Sequence, residues 1–290
     1  MTNESTNWMV LARELTGWQL MERIKAGHDI ALVPVGSVEL HGPQLPLGTD
    51  TYVAEAVCQL AAATMKGTVL DTVSYTWPGM TKYSVPTVSM TMNMETDYVR
   101  MVCDQLLRIG LRRIYVVQFH GPGIALQRLA REFFEETGVP LVFYGLMRMR
   151  DDSQEDCRKR GIAWEGSLCA AAAKVLGVTP SIAPDALRST EAVAPPPGSK
   201  ASRAIAETGG FLGRLGSNDL HHGVLDGRID VGMGMKILKT WAEAIASSAP
   251  HFAKLRDAWK DVDLPGSWPS TVLNAGRRRK ARRTDAGDSR

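Results

Sequence analysis

The chain has 290 residues, 44% of them apolar and 22% charged, with a formal net charge of +3. That balance fits a soluble globular protein with a sizeable core and excludes a collagen-like or broadly disordered chain. The charge is uneven: Arg277, Arg278, Arg279, Lys280, Arg282 and Arg283 crowd the end, and the body without them is slightly acidic.

No aromatic residue interleaves with that basic cluster, so residues 265–290 are expected to form a solvated, disordered tail, and nucleic acid is not an expected partner. The start, MTNESTNWMV, is polar and lacks a secretory signal pattern, and no apolar run approaches the roughly 18 residues of a membrane span. A cytoplasmic protein with no membrane association is expected. Cys58, Cys103, Cys157 and Cys169 show no CxxC spacing and read as reduced, buried thiols.

Residues 8–26 carry a helical apolar pattern through Leu11, Leu15, Leu20 and Ile24. The run 29–38 is almost wholly apolar, as in a buried parallel strand. Residues 51–65 are Ala-rich and helical, with Asp50 at the expected N-cap. A second strand is expected over 68–75, and the aromatic, turn-rich loop 77–86 follows as a pocket wall. Residues 88–92 read as a short strand and 96–109 as a helix closed by Gly110.

The strand RRIYVVQF, 112–119, runs straight into His120-Gly121-Pro122-Gly123. A helix over 124–137, a strand over 140–147 and a short helix or loop over 149–161 come next. The small-residue helix 163–176 holds Glu165 in its first turn, where the helix dipole alone would favour a carboxylate. Residues 178–198 are Pro-rich, 202–234 Gly-rich, and 235–248 form the last expected helix. Alternating strands and helices predict one domain over 1–264, with a mostly parallel sheet covered on both faces as an α/β/α sandwich.

One stretch concentrates the chemistry. VPVGSVELHGPQLPLGTD, residues 33–50, places Glu39, His41 and Asp50 at a strand end among Gly and Pro. In an extended segment Glu39 and His41 point to one face. Carboxylate and imidazole donors converging there suit a divalent cation such as Zn, Mn or Fe. The same residues also suit a polar loop in which Glu39 caps a turn. His120 lies at the same carboxyl edge of the sheet, where open α/β sheets gather their ligands. Trp77, Tyr83 and Trp164 offer flat apolar walls for a substrate, or equally core packing.

Residues 34–50 closely resemble the signature of the creatininase (creatinine amidohydrolase) family. The strand–His–Gly element at His120, the Glu-Gly-Ser-Leu start at Glu165, and Gly223-Val224 with Asp226-Gly227 follow in the family's order. The resemblance spans roughly residues 10–250 and implies a three-layer α/β/α fold around two divalent metal ions. By position it puts the metal ligands on Glu39, His41, Asp50, His120 and Glu165. Asp50 would bridge, Glu39 and His120 would complete one site, and His41 with Glu165 the other. It implies metal-assisted C–N hydrolysis of a small cyclic amide, lactam or N-acyl or formyl substrate, with Glu39 and His120 also serving catalysis. It further implies a homo-oligomer, a hexamer or a dimer.

The chain departs from the resemblance in three places. Relatives carry a His-Ala-Gly-Glu segment whose histidine shuttles a proton, and here Ile162, Ala163 and Trp164 precede Glu165. Gly121, Pro122 and Gly123 replace the usual residues after the histidine, including creatininase's own glutamate ligand. The loop at 81–86 lacks the usual histidine and Gly-Thr pair. Creatinine is therefore not the expected substrate. The candidates for the missing shuttle are His221, His222, Tyr83, Arg160 and Lys82, with His222 preferred. A lactone or peptide-like substrate at the same site, or a non-catalytic role, is the alternative.

Overall fold

The computed structural model describes residues 11–121, 123–149, 152–183, 199–209 and 227–259. In chain order its elements are α1 (Gly17–Lys25), β1 (Ile30–Val35), α2 (Thr49–Met65), β2 (Thr68–Val69), α3 (Met92–Ile109), β3 (Arg113–Gln118), α4 (Ile124–Thr137), β4 (Leu141–Gly145), α5 (Ser153–Lys159), α6 (Trp164–Leu176), α7 (Ser199–Glu207), α8 (Val231–Ser247) and α9 (Ala249–Trp259). The strands form one parallel sheet in the order β2-β1-β3-β4.

Alternation along the central strands makes two cores. Ile30 and Leu32 of β1 and Tyr115 and Val117 of β3 face one side, where they meet Val57 and Ala61 of α2, Leu168 of α6 and Trp241 of α8. Ala31, Val33 and Val35 with Ile114 and Val116 face the other, against Val99 and Leu106 of α3 and Leu129 and Phe133 of α4. Strands buried on both faces lose the polar alternation of a half-exposed sheet, which is why β1 and β3 read as apolar runs. Each fully buried Leu, Val or Phe contributes about 1.5–3 kcal/mol. The result is the expected α/β/α sandwich.

Small residues set how closely the helices approach. A Cβ added at Gly234 of α8 would lie 2.0 Å from the Ser167 carbonyl of α6. A Cβ at Gly36 would lie 2.5 Å from the Thr51 amide. The glycine after β1 therefore lets α2's first turn, and Asp50 with it, press against the strand end.

Several boundaries differ from expectation. Gly48 is the N-cap of α2, so Asp50 sits inside the first turn and its carboxylate is free for other contacts. The β2 ladder is two residues long, with the chain beyond it tied to β1 by single bonds from Leu70 to Leu32 and from Val73 to Pro34. Residues 88–92 are not a strand: Thr91 caps α3 by accepting from the Met94 amide, and the helix starts at Met92. Thr16 likewise starts α1 late through a capping box with Gln19, and residues 12–14 form only a 3-10 turn. Asp230 starts α8 at Val231, and a further helix, α9, follows it with Pro250 in its first turn, where the missing N–H is tolerated. The tail 265–290 lies outside the described residues. None of the described helices is long and apolar enough to cross a membrane. All four cysteines are free and buried.

Candidate metal centre

Val35 pairs with Gln118 at the carboxyl ends of β1 and β3, so the segments leaving these two strands emerge side by side. Glu39, His41 and His120 leave from there, and Asp50 arrives on the first turn of α2. All four are buried, 3–7% exposed. Glu39, Asp50 and His120 each offer a ligand atom within 4.8 Å of the others.

Each imidazole is anchored at one nitrogen by a backbone carbonyl and presents the other to Asp50. His41 Nδ1–H donates to the Glu39 carbonyl at 3.0 Å, leaving Nε2 3.0 Å from Asp50 Oδ1. His120 Nε2–H donates to the Trp77 carbonyl at 3.1 Å, leaving Nδ1 2.9 Å from Asp50 Oδ2 and 3.4 Å from Glu39 Oε1. A carbonyl can only accept, so these contacts set which nitrogen keeps its proton. That is how outer contacts orient histidine ligands of metals.

The charges are mutually dependent. Burial alone would lower the His41 pKa, but the Asp50 carboxylate, with smaller contributions from Glu165 and Glu39, raises it to about 9. Burial is likewise overridden at His120, held well above its ordinary value by hydrogen bonds to Asp50 and Glu39. Asp50 is held low by the two histidines despite its burial. At Glu165, burial raises the pKa, His41 and His120 pull it down, and Asp50 and Glu39 push it up. His41 is the largest of these charge interactions at Glu165. With both imidazoles deprotonated, as metal coordination requires, the three carboxylates offset three of the four positive charges of two divalent cations, and the oxygen and nitrogen donor set fits such ions.

The 77–86 loop supports the cluster. The Thr81 hydroxyl donates to Glu39 Oε2 at 2.6 Å, and Ser37 Oγ lies 3.4 Å from the same oxygen. Fully buried Glu95 of α3 accepts from the Trp77 amide at 3.2 Å and from Gln118 Nε2 at 3.4 Å. Thr81, Glu95 and Gln118 escaped the sequence reading. For Gln118 the one local signal is a polar residue directly after the apolar run 114–117.

The other expected residues separate. Trp77 is half-buried and contributes its backbone to the site. Tyr83 is 61% exposed, with the Lys82 ammonium 5.4 Å from its ring. The Trp164 ring packs 5.7 Å from Phe119 and 6.0 Å from Trp241, and its indole N–H donates to Ser153. Arg160 is exposed and pairs with Asp156. His221, His222 and Pro122 lie outside the described residues. Cys169 packs against the Thr49 hydroxyl at 3.7 Å, and burial raises its pKa, as suits a packing role. Gly123 is required where it stands: a Cβ there would meet the Phe143 ring at 2.9 Å.

The chain is similar to known hydrolases in sequence and to creatininase in fold. The chain is 27% identical over 138 residues to a 3-dehydro-scyllo-inosose hydrolase of Thermotoga maritima, covering 47% of this chain and 44% of that protein. It is 25% identical over 140 residues to 2-amino-5-formylamino-6-ribosylaminopyrimidin-4(3H)-one 5'-monophosphate deformylase of Methanocaldococcus infernus, covering 47% of this chain and 59% of that one. The chain thus spans about half the length of the curated relatives it matches. A crystal structure of creatinine amidohydrolase superposes with a TM-score of 0.64 at 20% identity, covering 84% of this chain and 98% of that one. Related creatininase structures include forms described as Mn and as Zn–Zn. The family model described as creatinine amidohydrolase matches residues 14–229, and the chain belongs to the creatininase family.

Proposed function

We propose that this chain is a metal-dependent amidohydrolase that cleaves a C–N bond of a small cyclic amide, lactam or N-acyl or formyl compound. The observation that carries the reading is the pair of carbonyl-anchored imidazoles, His41 and His120, aimed at opposite oxygens of Asp50. Glu39, Asp50 and His120 would hold one divalent ion, and His41, Asp50 and Glu165 a second. The Mn and Zn–Zn forms of related creatininases, and relatives named for amide and formyl hydrolysis, support this assignment.

Divalent ions held there would supply Lewis acidity toward a carbonyl oxygen and a water of lowered pKa. The protein's own groups do the rest. Asp50 keeps the two half-sites in register through its two oxygens. Thr81 holds Glu39 in place, and the Glu39 and Trp77 carbonyls fix the two imidazole tautomers. Trp77, Tyr83 and the accessible part of Trp164 are assigned to line the substrate space. His222 is assigned to return the proton to the leaving nitrogen. The subunits are assigned to a homo-oligomer, in keeping with the exposed apolar side chains Tyr75, Met94, Tyr98 and Met101.

The test is a substrate panel. Purified protein reconstituted with Zn2+ or Mn2+ is offered lactams, cyclic ureides and N-formyl amines against lactones and formyl peptides. Chelator-sensitive turnover of at least one non-peptide amide class is expected. Turnover confined to lactones or peptides, or unaffected by chelator, overturns the proposal.

A further inference from the structure

Glu95 has no place in the expected ligand set, yet it lies one contact away from it. Its side chain is fully buried in the first turn of α3. One carboxylate oxygen accepts from the Trp77 amide at 3.2 Å, and the other faces Gln118 Nε2 at 3.4 Å. Trp77 is the residue whose carbonyl takes the His120 Nε2 proton, and Gln118 is the last residue of β3, two before His120. One carboxyl group therefore ties down both backbone segments that orient the His120 ring. The Trp77 segment is fixed from its other side as well, since the Thr76 hydroxyl donates to the Gly36 carbonyl at 2.8 Å.

A buried carboxyl group is expensive to retain unless its contacts matter. Helix starts favour acidic residues, but a dipole role does not require full burial or aim the side chain at a distant loop amide. Burial pushes Glu95 up to about 7 against the opposing influence of the Trp77 amide and His120. The Gln118 amide oxygen has no hydrogen-bond partner among the described residues, so rotating that amide would let it accept a proton from neutral Glu95. The link to the Trp77 amide survives in either state of Glu95.

We infer that Glu95 is a positioning residue for the metal centre: by accepting from the Trp77 amide and bracing Gln118, it holds the Trp77 carbonyl where it fixes the orientation and tautomer of His120. This rests on the metal reading given above. The required chemistry is one hydrogen-bond acceptor at the end of an unbranched side chain. Glutamine meets that requirement and methionine, of similar length, does not.

The experiment compares Zn2+ binding by the full chain with that of Glu95→Gln and Glu95→Met, each first shown to be folded by circular dichroism. The 15N-histidine spectrum of the Zn2+-loaded proteins reports the His120 Nε2–H directly. Glu95→Met is expected to bind Zn2+ about ten- to hundredfold more weakly, as losses of outer-shell contacts do, with the His120 Nε2–H signal broadened or lost. Glu95→Gln is expected to stay within about threefold of the unmutated protein, since one acceptor suffices. Equal affinity and an unchanged His120 signal in Glu95→Met overturn the inference while leaving the metal reading standing. Failure of the unmutated chain to take up Zn2+ overturns both. Hydrogen exchange on the Zn2+-loaded unmutated chain needs no variant: the Trp77 amide should be protected together with the His120 ring N–H, and fast exchange at Trp77 contradicts the inference.

Discussion

Asp50 Oδ2 lies 2.9 Å from His120 Nδ1, although the two residues stand 70 positions apart in the chain. The contact exists because β1 and β3 are neighbours in register and because Gly36 lets the first turn of α2 close onto the strand end. The other oxygen of the same carboxylate meets His41. Asp50 thus meets both histidines, one at each carboxylate oxygen.

Asp50→Asn keeps the volume and removes the charge. Zn2+ binding should weaken by at least about a hundredfold, beyond what outer contacts contribute, and amide turnover should fall with it. Equilibrium dialysis against buffered Zn2+ checks this. The buried histidines then lose the partner that raises their pKa values, so His41 should titrate well below 9 in the variant.

Metal uptake should displace protons. His41 is raised to about 9 in the absence of metal, and a nitrogen must be deprotonated to bind an ion. Apparent Zn2+ affinity should therefore climb as pH rises from 6 toward 9. Calorimetry in buffers of different ionisation enthalpy should register proton release. No release at pH 7 would show that the imidazoles are already neutral there.

Thr81→Val removes the hydroxyl that holds Glu39 at 2.6 Å. We expect about tenfold weaker metal binding and a loss of roughly 1 kcal/mol in stability, with Thr81→Ser close to the unmutated protein. Chelator competition and thermal unfolding measure the two effects separately.

Glu95 makes the stability of the metal-free protein depend on pH. Its folded pKa, about 7, lies above the ordinary 4.5, so the folded state binds the proton more tightly. Its stabilising contribution is complete below about pH 4.5 and is lost as pH rises through 7. The 2.5-unit difference corresponds to about 3 kcal/mol. Glu95→Gln should flatten the decline between those two values, read from urea unfolding at each pH. An equal decline in the variant would show that Glu95 is not the group responsible.

Gly234→Ala tests the packing that carries the centre. The added methyl would stand 2.0 Å from the Ser167 carbonyl, a backbone atom that cannot turn aside. A loss of at least about 1–3 kcal/mol in unfolding free energy is expected, with α6 and Glu165 displaced together.

The sheet was legible because its strands announce themselves. VPV before Gly36 and IYVV, residues 114–117, before His120 are apolar on both faces, and the segments that follow bring Glu39, His41 and His120 to one edge. Position in the chain placed Asp50 beside them but gave it a capping role that Gly48 holds instead. What stayed hidden was set by contacts between distant segments. Nothing local to Glu95 distinguishes it from an acidic residue at any helix start, and nothing local to Thr81 points to Glu39. The run 88–92 looked like a strand by alternation, but the Thr91 cap outweighed that pattern. The contacts of the Trp164 ring with Phe119 and Trp241, 45 and 77 positions away, are likewise set by distant segments.

The most direct test of the metal assignment is the metal content of the purified chain after reconstitution with Zn2+ or Mn2+ and removal of excess ion. Two ions per chain are expected in the unmutated protein and fewer in Asp50→Asn. Less than one equivalent bound by the unmutated chain would contradict that assignment.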